Sequence, residues 1–301
     1  MQLKLAFALV VLIWSTTPLA IKWSNDSLSF IAAAGLRMAL AALICSLILM
    51  LRGRRLRLDR PALLSYAAAV MGVFGCMSCV YWAAQSIASG MISVIFGLSP
   101  VASGLLAAPL LGERAFTPAK LLALCLSLVG LTVIFQSELR LDLQALPGLV
   151  ALVAGTLLFA LSNVLVKRTS VGMDPMVHTT GSLLMSLPLF LLAWWLVDGS
   201  LPQTISLRSL LAVSYLAIVG SVIGFVMFLY LLQRMEASRV ALIPLITPGL
   251  ALIWGAALAG EQIAPTTLAG SALVICGLAV YQLGGRVWAW AAARASISAS
   301  P

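Results

Sequence analysis

The chain has 301 residues, of which 62% are hydrophobic and only 9% are charged, and its formal net charge is +9. Soluble domains carry about 25% charged residues, so this chain lacks the side chains that cover a water-facing surface. These proportions exclude a soluble protein and indicate a membrane-embedded one. The basic residues fall in short breaks between apolar runs, which indicates membrane topology rather than nucleic-acid binding.

Apolar runs long enough to cross a bilayer recur along the whole chain, each near the roughly 20 residues that a spanning helix needs. Ten spans are predicted, at 3–21, 28–51, 62–83, 87–111, 117–135, 148–167, 175–197, 209–231, 240–260 and 265–284. Several links are only a few residues long, so we expect a compact all-α bundle of antiparallel neighbours. The first span is interpreted as a membrane helix, because no clear cleavage site follows it.

The distribution of lysine and arginine predicts the orientation. With a cytoplasmic N-terminus, fourteen of these residues fall on the cytoplasmic side and three on the outer side, while Arg37 lies inside a span. Cytoplasmic loops of membrane proteins are enriched in Lys and Arg. We therefore expect both termini in the cytoplasm of a multi-pass protein of the cell (inner, cytoplasmic) membrane.

An internal repeat relates the two halves of the chain. The stretch GLSPVASGLLAAPLLGE at 97–113 matches LITPGLALIWGAALAGE at 245–261 in a hydroxyl residue, a proline and a terminal Gly-Glu. The segments YWAAQSIAS (81–89) and WSTTPLAIK (14–22) match YLLQRMEAS (230–238) and FALSNVLVK (159–167) in the same order. This shared order indicates a duplication.

Each predicted half contains five spans, and an odd number makes the second copy enter the membrane from the opposite side. The expected domains are a first repeat at 1–136, a linker at 137–147, an inverted second repeat at 148–284 and a cytoplasmic tail at 285–301. Glu113 is then cytoplasmic and Glu261 is on the outer side. Inverted repeats are a recurring plan of secondary transporters, whose substrate site lies between the repeats at mid-depth.

Several features together resemble the EamA-type permeases of the drug/metabolite transporter (DMT) superfamily. They are the five-plus-five helices, the Pro-x11-Gly-Glu ends, the Trp-Ser entry that leads to a lysine and the arginine in the second helix. The resemblance covers about residues 1–284. It implies a multi-pass carrier of small metabolites, amino acids or drugs, often an exporter, with a cavity lined by helices 1, 3, 4, 6, 8 and 9. The second copy departs from the pattern at Phe159 and at Leu183, which stands roughly opposite Arg37.

Arg37 is the charged residue placed well inside a predicted span, where a charge costs about 2.5–3.5 kcal/mol on insertion scales. Its fork of donors suits a substrate carboxylate or phosphate. The alternative is a structural arginine bonded to helix carbonyls or to a hydroxyl group.

Prolines and hydroxyl residues mark candidate helix breaks. Proline interrupts a helical hydrogen-bond ladder and frees carbonyl groups, and the nearby hydroxyls either line a cavity or bond to their own helix. The candidate break residues are Pro18, Pro100, Pro244 and Pro248, and the accompanying hydroxyl residues are Ser99 and Thr247.

Other polar and aromatic residues are candidates for the cavity wall, since ligand pockets combine apolar walls with a few placed polar groups. They are Trp14, Ser15, Thr17, Tyr81, Trp82, Asn163 and Tyr230. Tyr81, Trp82 and Tyr230 have the alternative role of interface anchors. Asn163 is favoured because a mid-helix amide in lipid needs a partner. Glu113 and Glu261 end their spans, and their expected role is to cap the start of the next helix.

The residues favour a secondary transporter over two other classes. No phosphate-binding loop of the G-x-x-x-x-G-K-[ST] type is present, so we predict no ATP-driven step and no cofactor. An intramembrane enzyme needs a catalytic cluster that the sequence lacks, so no catalytic or metal residue is predicted. A channel or accessory subunit stays open as an alternative. The expected partners are a small-molecule substrate and the lipid bilayer, and the sequence leaves open a homodimer.

Overall fold

The computed structural model describes residues 2–111, 117–141, 145–169, 173–200, 202–224, 227–228, 231 and 243–298, with side chains described within 3–282. The described helices are α1 Gln2–Ser24, α2 Phe30–Leu51, α3 Arg60–Ala83, α4 in two segments (Ser89–Phe96 and Ser99–Leu111), α5 Pro118–Leu141, α6 Ala145–Thr169, α7 Pro175–Val197, α8 Leu207–Ile223, α9 Ile243–Ala259 and α10 Pro265–Ser298.

The all-α, multi-pass class predicted from composition is confirmed. Eight of the described helices are long and apolar enough to cross a membrane, and α8 and α9 are shorter apolar helices at the positions of the predicted eighth and ninth spans. Large apolar side chains such as Leu43, Leu191 and Leu211 are exposed on the outside of the bundle. In a membrane protein these side chains face lipid, so their exposure carries no cost of contact with water.

Polar side chains begin several helices, because the first N–H groups of a helix have no partner within it. Ser29 caps α2 by accepting a hydrogen bond from the backbone N–H of Ala32. Asp174 caps α7 in the same way, and Pro175 occupies the first helical position, where the missing N–H is not needed. The sequence therefore places helix starts at polar residues next to the apolar runs.

Helices α5 and α10 approach each other closely along a line of small residues. A Cβ atom on Gly130 would lie 2.7 Å from the carbonyl oxygen of Gly270, and one on Gly277 would lie 2.9 Å from the carbonyl oxygen of Ala123. Ser137, near the end of α5, bonds to Thr266 near the start of α10. Residue numbers rise along one helix as they fall along the other, so the two helices are antiparallel.

Helices α4 and α9 are antiparallel as well. A Cβ atom on Gly90 would lie 2.8 Å from the Cα atom of Leu252, and one on Gly97 would lie 3.4 Å from the Cγ atom of Pro248. Gly97 lies in the short interruption between the two segments of α4, so the break in α4 contacts the proline of α9.

The remaining helix packing follows a regular scheme. Helix α1 packs against α8 and α9, while α6 packs against α3 and α4. Helix α2 packs against α7 and α8, while α7 packs against α2 and α3. Exchanging each helix with the one five places further along the chain converts these pairs into one another.

Helices α3 and α8 each contain a π-helical segment, at Met71–Cys76 and Leu216–Ile223. Each segment follows a regular α-helical start of the span. A π turn contains an extra residue, which leaves a carbonyl group without its usual partner four residues on. A serine hydroxyl bonds to a backbone carbonyl in or just before each segment: Ser162 donates to the Ala68 oxygen at 2.9 Å and Ser221 donates to the Leu216 oxygen at 3.0 Å.

The glycine contact between α5 and α10 leads to a stability prediction. Gly130→Ala puts a methyl group against the backbone of Gly270, and such overpacking costs about 1–3 kcal/mol. We expect a lower apparent melting temperature for the purified protein in detergent. Gly249→Ala is the matched control, because no heavy atom lies within 4 Å of its added Cβ. Equal melting temperatures for the two variants would contradict the close packing.

Candidate functional site

Three consecutive hydroxyl residues on α1 connect this helix to the second half of the chain. Trp254 of α9 donates from Nε1 to the Ser15 hydroxyl at 3.1 Å. The hydroxyls of Thr16 and Tyr215 are hydrogen-bonded at 2.7 Å, which joins α1 to α8. Thr17 donates to the Ile13 carbonyl of its own helix. The WSTT segment thus contacts both α8 and α9 through side chains of adjacent residues.

Arg37 of α2 is buried, with 5% of its surface exposed. Its Nε donates to the hydroxyl of Ser221 at 3.2 Å, and the same hydroxyl donates to the Leu216 carbonyl in the π-helical segment of α8. Nη2 lies beside Gly220, and Nη1 has no hydrogen-bond partner in the described part of the chain. The guanidinium group therefore has one structural contact and one unused pair of N–H donors.

Tyr81 of α3 is fully buried, and its hydroxyl lies against the Arg37 guanidinium and the Ser24 hydroxyl. It makes no hydrogen bond within the geometric limits to any described group. The backbone oxygen of Tyr81 accepts a bond from the Asn25 side chain at 2.9 Å. Helices α1, α2, α3 and α8 thus meet around Arg37, and both halves of the chain contribute to this cluster.

Glu261, which follows α9, joins three helices in what we call the Glu261 cluster, together with Lys22 and Ser89. Lys22, near the end of α1, donates to the carboxylate at 2.9 Å. Ser89, the first residue of α4, donates its backbone N–H and its hydroxyl at the same distance. A carboxylate at a helix N-terminus also interacts favourably with the helix dipole. The Glu261 side chain is only 6% exposed.

The Gly-Glu pair of the repeat has a clear geometric reason in the second half. Gly260 has a φ of +63°, a conformation that favours glycine. This turn ends α9 and lets the Glu261 N–H bond back to the Gly255 carbonyl at 3.1 Å. The side chain of Glu261 then lies back over α9. It caps α4, whereas the sequence suggested that it would cap the helix that follows.

The charge state of Glu261 follows from these contacts. Burial raises the pKa of this carboxyl group, but the hydrogen bonds from Ser89 and the nearby Lys22 ammonium group lower it by more. The pKa is therefore below its ordinary value, and the carboxylate is ionised at neutral pH. Above that ordinary value the pair stabilises the folded state fully, and the stabilisation is lost as the pH falls through the lowered pKa.

Further contacts between the two halves lie at the same end of the bundle as the Glu261 cluster. Arg208 pairs with Asp26 at 3.2 Å and lies over the ring of Trp23. The Ser27 hydroxyl bonds to the hydroxyl and the backbone N–H of Ser206. At the other end, the described cross-half ion pair is Arg54 with Asp174. Both of its side chains are more exposed to solvent than those of the Lys22–Glu261 pair.

The structure brings some of the sequence candidates together and separates others. Trp14 is half-buried, and its ring lies 4.8 Å from that of Phe228 of the second half. Ser99 and Thr247 are buried beside the facing segments of α4 and α9. Trp82 is 42% exposed at the end of α3, a position that suits an interface anchor.

Asn163 is exposed, and the described residues show no hydrogen bond to it. Its neighbour Ser162 makes the cross-helix bond to α3 instead. Tyr230 and Glu113 lie outside the described residues.

The candidate prolines occupy different settings. Pro100 is the second residue of the second segment of α4, directly after the interruption at residues 97–98, which suits a residue without an N–H. Pro18 and Pro248 lie inside the continuous helices α1 and α9. Pro244 is the second residue of the described α9 and follows residues outside the described part.

Several contacting residues were not singled out from the sequence. Thr16, Tyr215 and Trp254 make cross-half hydrogen bonds, and Ser221 holds Arg37. Thr16 stands between two residues that were chosen. The others lie in long apolar runs without a distinguishing pattern, so only the packing of the helices identifies them. No described group of three or more His, Cys, Asp or Glu residues could hold a metal ion.

Several curated proteins similar to this chain are named as transporters or efflux pumps. An "Uncharacterized transporter" of Archaeoglobus fulgidus is 29% identical over 92% of this chain and 98% of its own length. A protein of Salmonella typhimurium named "Probable amino-acid metabolite efflux pump" is 26% identical over 93% and 94% of the two chains. The "Uncharacterized inner membrane transporter YedA" of Escherichia coli K12 is 24% identical over 92% and 89%.

A solved crystal structure has the same fold. It matches with a TM-score of 0.66 at 22% identity and covers 95% of this chain and 99% of its own. The sequence model of the EamA-like transporter family matches twice, at residues 3–136 and 146–282. Together the two matches span nearly the whole chain, including every residue of the Arg37 and Glu261 clusters. The chain is a multi-pass membrane transporter that belongs to the EamA-like transporter family.

Proposed function

We propose that the chain is a secondary transporter that moves a small metabolite, amino acid or drug-like compound out of the cell by alternating access. Membership of the EamA-like family supports carrier function, and the relative named an efflux pump supports export. The relative named an inner membrane transporter supports placement in the cell membrane. The antiparallel pairing of α4 with α9 and of α5 with α10 is the observation that carries the alternating-access proposal.

The two halves act as inverted repeats in this proposal. Equivalent helices of parallel repeats would run in the same direction, whereas the fourth and the fifth helices of the two halves are antiparallel. The helix contacts support the inverted relation too, because α1 packs against α8 and α9 as α6 packs against α3 and α4. An inverted pair of near-equivalent halves has two conformations of similar energy, one open to each side of the membrane.

The Glu261 cluster serves as a gate at one end of the substrate path. It links α1 and α4 of the first half to the end of α9, and the ion pair of Asp26 with Arg208 adds a second link nearby. Hydrogen bonds to a charged group stabilise by about 1.5–3 kcal/mol, which is enough to shift a two-state equilibrium by one order of magnitude or more. The described conformation is accordingly closed at this end.

The orientation proposed from lysine and arginine places both termini in the cytoplasm. The Glu261 cluster is then at the outer face, and the Arg54–Asp174 pair is at the cytoplasmic face. A conformation closed at the outer face is the one in which an exporter takes up its substrate from the cytoplasm.

The transport mechanism is tested in proteoliposomes. We expect uptake of a labelled substrate that saturates with concentration and is accelerated by unlabelled substrate on the opposite side. Such counterflow requires a site that faces the two sides in turn. Flux that rises linearly with concentration and shows no counterflow would identify a channel instead.

The inversion is tested by labelling in a variant without its five native cysteines. Gln262→Cys reports on the Gly-Glu end of the second repeat and Glu113→Cys reports on the matching Gly-Glu end of the first repeat. We expect an impermeant thiol reagent to label Gln262→Cys in intact cells and Glu113→Cys only after permeabilisation. Labelling of both positions from one side would show that the repeats are not inverted.

The gate is tested with a reporter cysteine at Ser24, which is fully buried next to the cluster. Glu261→Gln removes the negative charge from the contacts with Lys22 and Ser89, so we expect roughly tenfold faster labelling of Ser24→Cys from outside. Arg57→Gln is the matched control, since it breaks an exposed ion pair with Asp59 away from the cluster. The gate is excluded if Glu261→Gln and Arg57→Gln label at the same rate.

A further inference from the structure

We propose that Arg37 and Tyr81 together bind the carboxylate group of the transported compound. The inference rests on the proposed transporter function and names its substrate class as small carboxylates. The site lies where α1, α2, α3 and α8 meet, so it includes residues of both halves.

The first argument is charge. Arg37 is a permanent cation, is 5% exposed and lies inside a membrane-spanning helix. The carboxylates whose side chains are described have partners elsewhere: Asp26 with Arg208, Asp59 with Arg57, Asp174 with Arg54, Asp198 with Ser200 and Glu261 with Lys22. None of these five bonds to Arg37. A buried charge without a counter-ion is costly, and an anionic ligand supplies that counter-ion.

The second argument is the orientation of the unused donors. Nε of Arg37 is held by Ser221, which fixes the plane of the guanidinium group. Nη1 and the Tyr81 hydroxyl are both buried without a partner, and the hydroxyl lies against the guanidinium. Buried polar groups in folded proteins almost always have partners. Two neighbouring unused donors, on residues that are each more than nine-tenths buried, therefore indicate a place for an acceptor.

The number of donors and charges matches a carboxylate better than a phosphate. One guanidinium supplies a single positive charge, and its Nη1 together with one phenol hydroxyl can serve two acceptor oxygens. A carboxylate has one negative charge and two oxygens. A phosphate group carries up to two charges and three oxygens, more than one guanidinium charge and these two donors can match.

Ser221 allows the ligand role to be separated from a structural one. The Ser221 hydroxyl occupies the Nε edge of the guanidinium, so it competes for no donor that the ligand uses. A purely structural arginine depends on this contact, whereas a ligand-binding arginine depends on Nη1. Ser221→Ala and Arg37→Gln thus affect different edges of the same group.

The test measures binding to the purified full-length protein in detergent by thermal unfolding. The probes are a panel of L-amino acids, each beside its own carboxamide, and acetate beside acetamide, all at one ionic strength. A ligand that binds the folded state raises the apparent melting temperature. We expect at least one carboxylate to stabilise the wild type while its amide does not.

The variants then assign the effect to the site. We expect Arg37→Gln to weaken binding of that carboxylate by about 10- to 100-fold, as loss of a charged hydrogen bond does. Tyr81→Phe, which keeps the ring, weakens it by roughly tenfold. Ser221→Ala removes the contact that fixes the guanidinium plane but leaves Nη1 in place, so we expect it to weaken binding less than Arg37→Gln does. If Arg37→Gln does not fold, the Tyr81→Phe result decides.

Any one of three results overturns the proposal. The first is that no carboxylate in the panel stabilises the wild type more than its amide does. The second is that Arg37→Gln and Tyr81→Phe both bind carboxylates as the wild type does, and the third is that Ser221→Ala loses binding as completely as Arg37→Gln. A counterflow measurement in proteoliposomes distinguishes failure of the carboxylate site from failure of the proposed transporter function. Saturable counterflow of neutral or cationic compounds alone leaves the carrier intact and removes only the carboxylate site.

Discussion

The need to pair every polar group in a low-dielectric interior organises this structure. Regular helices pair their own backbone N–H and C=O groups in hydrocarbon. Other partners are needed only at the few places where the helical hydrogen-bond pattern is incomplete. At the start of α4 the N–H of Ser89, which has no partner within its own helix, donates to Glu261. In or beside the π-helical segments, serine hydroxyls donate to backbone carbonyls. The bonds of Ser89 with Glu261 and of Ser162 with Ala68 connect helices that are far apart in the sequence. The Ser221 bond stays within α8, but the same hydroxyl accepts a bond from Arg37 of α2. The irregular backbone of each half is thus also where the bundle is joined.

Composition and apolar runs were sufficient to predict the fold class and the positions of ten apolar helices, whereas the family resemblance depended on short motifs such as the repeated Gly-Glu ends. They sufficed because the bilayer itself, and not the packing between helices, sets the length of a span and excludes charged residues from it. The repeat also identified Glu261, since a Gly-Glu pair at the end of two matching runs is visible in the sequence. Its partner was not visible, because the capped helix begins 172 residues earlier, at Ser89.

Individual side chains within the helices were harder to assign. In a span that is apolar on all sides, the sequence shows no hydrophobic asymmetry that distinguishes the inner face of the helix from its outer face. Asn163 was favoured over its neighbour, yet Ser162 faces α3 and Asn163 is exposed. Tyr81 and Trp82 are adjacent in the chain, but one is fully buried and the other faces outward. A rotation of about 100° per residue separates such neighbours, and only the packed bundle fixes it.

The glycine contact of α5 and α10 restricts how the halves can move against each other. Backbone atoms meet there directly, and the side chains beside them, Val274 and Ile134, are β-branched and have few rotamers that could permit sliding. Each helix presents its small residues to those of the other, so both halves meet there through the same kind of surface. A shift of one helix along the other would bring these backbones into collision, whereas a roll of one helix on the other would keep them in contact. The line between α5 and α10 is therefore suited to be an axis about which both ends of the bundle could turn.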